Sequence, residues 1–400
     1  MLGTTVPDLL VTAVVVGTFV VLALPQVRGV VLSRPLTAAL GAVVVVALGG
    51  LRPQAAFESV DATTLALLFG MMVHVEALSV SGFYDWAAPA LVNQAKTARR
   101  LTFGALCLAA GLSAVALNDA TVILLAPVLL DATAAADTDP DGPIIALVIG
   151  ANVGSLATPL GNPQNAYILA RSGLSTATFV RHLAPIAAVC LCIAAAIVVP
   201  LAGRHRLPRV STPNFDRGWA ALGGGFLLGT LALLVALPDV DPGYLAATTA
   251  LVHLGIVQVG RRIPANRILE RIDWGILVLF VGLFVLTAAV RDDSVFAALL
   301  KILAQSGATV RAVAIFVLSN IISNVPTVVL LAPTTTGQES WLRLAAVSTL
   351  AGNATPIASA ATLIVLERAR QYDTPVSIRR LVAIGLPVSV LTTLVALALI

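Results

Sequence analysis

"GANVGSLATPLGNPQN", residues 150–165, separates two apolar runs, "PIIALVI" before it and "AYILA" after it. It holds three asparagines, a glutamine, three glycines and two prolines, in a chain that is 58% hydrophobic and 11% charged. A backbone polar group left unsatisfied in hydrocarbon costs several kcal/mol. The stretch is therefore either a loop outside a bilayer or a helix broken at membrane depth and held there by protein. Which of the two it is decides the fold.

Composition sets the frame. A mean hydropathy of +0.97 over 400 residues excludes an ordinary soluble globule. Apolar runs of about 17–25 residues recur along the chain, the length a helix needs to span a bilayer. No run alternates with period two, which argues against a β-barrel. No basic stretch precedes the first apolar run, so no cleaved signal peptide is expected. Cys107, Cys190 and Cys192 lie in apolar runs and read as small buried hydrophobes. Nothing points to zinc, an organic cofactor or a nucleic-acid partner.

The chain is written twice. "LNDATVILLAPVLL" (117–130) matches "ISNVPTVVLLAPTT" (322–335), which places Asn118 on Asn324. "ATPLGNPQN" (157–165) falls on "ATPIASAAT" (354–362), and "DATTLALLFG" (61–70) on "DWGILVLFVG" (273–282). Three matched segments in the same order define two repeats, 1–202 and 218–400, joined by the basic linker 203–217. An ordinary loop would not recur at the corresponding place, so the opening stretch reads as a broken helix.

Each repeat contains an interrupted apolar pair, 101–131 and 308–334, then a broken span, 143–171 and 342–370. If each pair is a re-entrant hairpin, each half crosses five times. Alternate loops then put 17 of the 24 basic residues on one side, which the positive-inside rule makes cytoplasmic. Five is odd, so the second half enters from the opposite face. The expected fold is an all-α membrane protein of two inverted repeats, each with five transmembrane spans, one re-entrant hairpin and a broken helix.

The interruptions supply the chemistry. Asn162, followed by Pro163, can cap a half-helix, and Ser359 stands at the matching place. The tips Asn118 and Asn324 also precede helices. Half-helix N-termini offer free N–H groups and partial positive charge to an anion. Thr158, Asn165, Thr355 and Thr362 offer acceptors to a cation. No Lys or Arg falls inside 150–165, 352–362 or the two tips, which favours helix termini as the anion ligands. Asp119 is the one carboxylate at a tip, where the second half has Val325. It reads as a proton or sodium ligand, or as a second capping acceptor. Asn152 and Asn353, in the arms leading into the breaks, join Asn118, Asn324 and Asp119 as candidate coupling-ion ligands.

Weaker candidates sit elsewhere. His74 and Glu76 are two residues apart and point to different helix faces; Glu76 is either a further coupling carboxylate or a group reaching interfacial water. "GFLLG" (225–229) reads as close helix packing or, more sharply, as a homodimer contact. No placed base or oxyanion turn supports an intramembrane hydrolase, so no enzyme is expected.

At these residues the chain resembles the ion transporter superfamily, which includes citrate-transporter-like carriers, divalent anion symporters and arsenite-permease-like carriers. Those families carry Ser-Asn-Thr tips on two hairpins, each followed by a broken helix. Ser323-Asn324 matches the first two letters, with Val325 in place of the threonine. Leu117-Asn118-Asp119 and "LFGMMVHVEALSVSGFYDWAA" (68–88) are closer to the arsenite-permease branch. "ATPLGNPQN" is similar to the families' "ATPxGxPPN", which brings Gly161 into the expected substrate site. The resemblance covers nearly the whole chain.

The expected activity is secondary transport of a small anion, a carboxylate or inorganic oxyanion, across the cytoplasmic membrane, coupled to H+ or Na+. With the inside negative, importing one negative charge costs about 2.3 kcal/mol per 100 mV, which a cotransported cation offsets. The alternatives are a sodium/proton antiporter or arsenite exporter of the same fold and, in another class, a passive anion channel. The topology is directly testable. Single cysteines at both termini should label only from outside the cell, and those in the 203–217 and 260–272 loops only from inside. A cytoplasmic C-terminus would break the five-plus-five arrangement.

Overall fold

A computed structural model of the chain describes residues 8–24, 26–27, 30–135, 139–260, 264–291, 300–303, 305–372, 374 and 376–400. Arg28, Arg261 and Arg262 of the charge count, and the outer ends of the span expected at 7–25, lie outside these residues.

The first half runs through α1 (Asp8–Ala23), α2 (Arg34–Ala47), a short α3 (Pro53–Glu58), α4 (Ala62–Val80) and α5 (Phe83–Ala95). Its interrupted pair is α6 (Ala98–Ser113) and α7 (Asn118–Ala135), and its broken span is α8 (Asp141–Ser155) and α9 (Pro163–Ser172); α10 (Thr176–Val198) closes it. The second half has α11 (Arg217–Ala236), α12 (Pro242–Gly260), α13 (Ala265–Arg271) and α14 (Trp274–Ala289). It then has the pair α15 (Ala308–Ile322) and α16 (Asn324–Leu331), the broken span α17 (Gln338–Ala351) and α18 (Ala360–Gln371), and α19 (Ile378–Leu399). Apart from a two-residue antiparallel pairing of 26–27 with 30–31, the described residues form helices and connections.

The repeated letters have repeated jobs. Asp61 caps α4, accepting the Thr64 N–H at 2.8 Å, and Asp273 caps α14, accepting the Ile276 N–H at 3.3 Å. The glycines nine residues on in the two segments make matching close contacts. A Cβ on Gly70 would lie 2.4 Å from the Ala246 carbonyl of α12, and one on Gly282 2.6 Å from the Ala38 backbone of α2. Thus α4 packs on α12 and α2 on α14, each pair joining one half to the other, while α6 lies along α8 and α15 along α17.

Among the described residues, six helices are long and apolar enough to cross a membrane, or seven if the pair α13–α14, bent by 50°, is one span. Several expected crossings are shorter. Helix α2 has 14 residues, about 21 Å of rise against about 30 Å of hydrocarbon. Conversely α7 runs to Ala135, beyond the arm expected to end at 131, and its 18 residues place it among the long helices.

One expectation needs correcting. Among the described residues, Gly225 and Gly229 of "GFLLG" have nothing within 4 Å of a built Cβ; on α11 it is Gly223 that meets a neighbour, Leu78. The linker 203–217 is bonded to the first half. Residues Thr97 and Arg206 form an antiparallel bridge, the Leu207 N–H donates to the Lys96 carbonyl at 3.0 Å, and Asn93 exchanges two bonds of 2.9 Å with the Val210 backbone.

The matched glycines predict an ordered result. Gly70→Ala and Gly282→Ala should each destabilise the purified protein by about 1–3 kcal/mol through overpacking. Gly229→Ala should cause no loss. Melting temperatures in one detergent check this.

Candidate functional site

The two hairpin tips dock on the two breaks by the same bond. The Asn118 N–H donates to the Gly161 carbonyl at 2.8 Å, and the Asn324 N–H donates to the Ala358 carbonyl at 3.1 Å. Both asparagines are the first residues of their helices rather than the residues before them. Each turns its carboxamide oxygen to the next N–H, Asp119 at 3.0 Å and Val325 at 2.8 Å. The second tip is tighter. Only Ser323 separates α15 from α16, at φ +79, a conformation that costs a non-glycine residue of order 1–3 kcal/mol.

A chain of amides links the halves. Asn118 Nδ2 donates to Asn152 Oδ1 at 3.1 Å, and Asn152 Nδ2 donates to Asn353 Oδ1 at 3.0 Å. Ser359 Oγ also donates to Asn152 Oδ1, at 3.1 Å. Ser359 therefore does not cap α18 with its side chain, contrary to the match with Asn162. Its hydroxyl is taken by the central asparagine instead.

The first break behaves as its letters suggest. Asn162 Oδ1 accepts the Asn165 N–H at 2.8 Å, and its Nδ2 donates to Ser155 Oγ and Thr349 Oγ1 at 2.9 and 3.2 Å. Asn165 Nδ2 donates to the Ser155 carbonyl at 3.0 Å, and Thr158 Oγ1 donates to the Ala114 carbonyl. These groups are already satisfied within the protein. In the second break Thr355 Oγ1 donates to Asn320 Oδ1 at 2.9 Å. Thr362 Oγ1 and Asn353 Nδ2 are buried with no hydrogen-bond partner among the described residues.

Charge enters from three residues. Asp119 is buried, 7% exposed, with the Ala361 N–H at the start of α18 facing its carboxyl, and the Asp273 carboxylate and the Arg34 guanidinium act on it electrostatically in opposite senses. Arg34 is the cation that sequence reading placed in a cytoplasmic loop. Its Nη1 reaches Ser323 Oγ at 3.5 Å and its Nη2 the Ile357 carbonyl at 3.3 Å. Arg34 opens α2, and the start of that helix lies against the second tip. The interruptions themselves hold no Arg, but the site they build does.

Gln164 was also missed. It lies in the first turn of α9, 1% exposed, with neither side-chain atom hydrogen-bonded. Its signal was present, since it stands where the family pattern has a second proline. Glu76 and His74 do not join the centre. Glu76 pairs with Arg271 of α13 at 3.0 Å, and His74 meets His253 of α12.

A family profile described as "Citrate transporter" matches residues 19–361, so the chain belongs to that family. A silicon efflux transporter of Oryza sativa subsp. japonica is 28% identical over an alignment covering 98% of both chains. An uncharacterized transporter of Mycobacterium tuberculosis is 28% identical over 86% of this chain and 88% of its own. The inner membrane protein YbiR of Escherichia coli is 28% identical over 68% and 71%. Among solved structures, the YdaH transporter of Alcanivorax borkumensis superposes with a TM-score of 0.57 over 98% of this chain and 97% of that one, at 17% identity, a likeness of fold. The chain is a multi-pass membrane transporter.

The amide chain carries its own test. Asn152→Ala would leave Asn118 Nδ2, Ser359 Oγ and Asn353 Oδ1 without their partner, at about 1–3 kcal/mol for each group that water does not reach. It should lower the melting temperature more than Thr355→Ala. Asn152→Ala and Asn353→Ala should couple by about 0.5–3 kcal/mol in a double-mutant cycle.

Proposed function

We propose that this member of the citrate transporter family is a secondary carrier of a small anion, a carboxylate or inorganic oxyanion, coupled to H+ or Na+ in the cytoplasmic membrane. The observation that carries the proposal is the pair of identical tip-to-break bonds, Asn118 to Gly161 and Asn324 to Ala358, joined through Asn152. Two half-helices, α9 and α18, begin just after the breaks, and each holds a buried polar group with no partner among the described residues, Gln164 and Thr362. Such a centre offers donors to an anion. Asp119 is the acceptor for the coupling cation, and Arg34 the fixed positive charge beside it.

Packing supports an inverted repeat with re-entrant tips. Exchanging the halves turns the α2–α14 contact into α12–α4, and the α7–α18 contact into α16–α9; both members of each pair are present. Polar contacts between distant loops also join segments assigned by charge to the same side. Arg380 pairs with Asp139 and Asp141, Arg171 with Asp61, and Thr63 Oγ1 donates to Asp241. These contacts favour domain bounds near 1–202 and 218–400. Termini outside the cytoplasm follow from the same arrangement.

The full-length match to a silicon efflux transporter favours one further reading, export of a weakly ionised oxyacid. The opposite charges of Asp119 and Arg34 suit that substrate too.

Substrate-induced stabilisation decides between them. Small carboxylates, phosphate, arsenite and silicic acid are screened with and without sodium at two pH values. An anion carrier should show stabilisation by one anion that depends on sodium or pH. Asp119→Asn should abolish that ion dependence while the protein stays folded. Asn118→Ala and Asn324→Ala should each remove the stabilisation. Unchanged binding in both tip variants would rule out the shared centre.

A further inference from the structure

The repeat that makes the two tips alike leaves their supporting helices unlike. Carried back from the matched breaks (157 onto 354), Gly150 and Gly154 of α8 fall on Val347 and Ala351 of α17. Carried back from the matched tips (118 onto 324), Leu106 of α6 falls on Ala312 of α15. One pair of contacts fixes that register: Thr158 bonds to Ala114, and its match Thr355 bonds to Asn320, the match of Ala114. A Cβ on Gly150 would lie 2.3 Å from the Leu106 carbonyl, and one on Gly154 2.2 Å from that of Ala110. These glycines let α6 lie against the backbone of α8. Val347 and Ala351 are buried and carry the side chains that such an approach excludes, so α15 and α17 are less closely packed.

The gap has a chemistry of its own. A cavity of about 110 Å³ at the open end of the second hairpin is lined by Ser306, Arg311, Thr334, Ser340 and Arg343, with no acidic residue among its described walls. In the same register the first repeat has Ala105 and Ala146 where these arginines stand, both buried. A second cavity, of about 440 Å³, adjoins the first and shares Ala308, Ala312 and Arg343 with it. It runs between α15 and α19, walled by Val313, Phe316, Val390, Leu394 and Leu397. From Ala308 to Phe316 the trough follows α15 for about 12 Å of helix rise.

Charge and exposure say what fits. Arg343 pairs with Glu339, whose side chain is 60% exposed. Arg311 is half-buried and makes no side-chain hydrogen bond or ion pair among the described residues. Two guanidiniums against one outlying carboxylate leave the small cavity positive. Its depth also follows from the fold. The tip of this hairpin sits at the polar centre, so the open end, where α15 starts and α16 ends, lies towards a membrane face. Beside it, Val310, Val313 and Val317 of α15 and Val390, Leu391 and Leu394 of α19 are exposed, as on helices turned to acyl chains. A guanidinium fork binds phosphate oxygens in pairs. Inorganic phosphate would leave the apolar trough empty, and a lipid without net charge would leave the excess charge unanswered.

We propose that this groove binds one anionic phospholipid, its phosphate held by Arg311 and Arg343 and one acyl chain lying in the trough between α15 and α19. The lipid braces the hairpin that carries Asn324, in place of the direct helix contact that Gly150 and Gly154 give the first repeat.

The test counts bound lipid, so it stands apart from the choice of transported solute. The full chain is purified, stripped of lipid in a neutral detergent, and given phosphatidylglycerol or phosphatidylcholine with the same acyl chains. Native mass spectrometry reads the lipid retained, and a melting curve reads stability. The parent should hold one phosphatidylglycerol per chain in preference to phosphatidylcholine and melt higher with it. Arg311→Gln should weaken that retention roughly fivefold, the contribution of one basic residue towards an anionic lipid, and Arg311→Lys should keep most of it. Ala308→Trp, at an exposed position between the two cavities, should weaken retention with both arginines in place. Equal retention of the two lipids by the parent, or unchanged retention in folded Arg311→Gln, would overturn the proposal. So would inorganic phosphate stabilising the parent as well as phosphatidylglycerol does, or a dimer whose α15 and α19 faces shut lipid out. The parent comparison needs no variant, so it decides even if a variant fails to fold.

Discussion

A helix interrupted inside a buried interior must have its freed N–H and C=O groups bonded by protein, and this requirement organises the centre of the molecule. The breaks at 156–162 and 352–359 expose the carbonyls of Gly161 and Ala358, and the two hairpin tips supply the N–H groups that meet them. Each tip in turn begins a helix whose first N–H groups need acceptors. Asn118 and Asn324 give one with the carboxamide oxygen, while Asn118 reaches across with its nitrogen to Asn152. Removing any of these leaves a neighbour unsatisfied, so the half-helices hold one another in place.

That interdependence explains what could be read from the letters. A repeat preserves residues that do the same local job twice. Asp61 and Asp273 each cap a helix, and Gly70 and Gly282 each admit a neighbouring backbone. Caps and close approaches are short-range demands, so their signals lie in short motifs. The breaks and tips were legible for the same reason, to within a few residues.

What escaped was set by partners far away in sequence. Ser359 has the letters of a cap, but Asn152 claims its hydroxyl. Arg34 looked like a loop charge because counting charges by side treats every helix start as surface; the start of α2 lies against Ser323 instead. Glu76 and His74 did point to different faces, yet their partners, Arg271 and His253, belong to the other half. The two glycines of "GFLLG" carry the spacing of a packed face, yet among the described residues nothing approaches them. Periodicity locates a face and says nothing of what covers it.

The remaining feature is an asymmetry laid over a symmetric frame. The backbone bonds at the two tips match, but Asp119 stands where the second repeat has Val325, and Arg34 bonds at the second tip. A symmetric frame lets two arrangements of the halves have similar energies, which alternating access requires. Chemistry that was also symmetric would bind its ions alike from both sides. Asp119 and Arg34 act on each other electrostatically, with Asp273 as a second acid near Asp119. Under the proposed function, a cation taken up by Asp119 would weaken that attraction and leave Arg34 freer to attract an anion. Under the proposed function, coupling between the two solutes follows from charge balance at Asp119 and Arg34, and the frame need only make both sides accessible in turn.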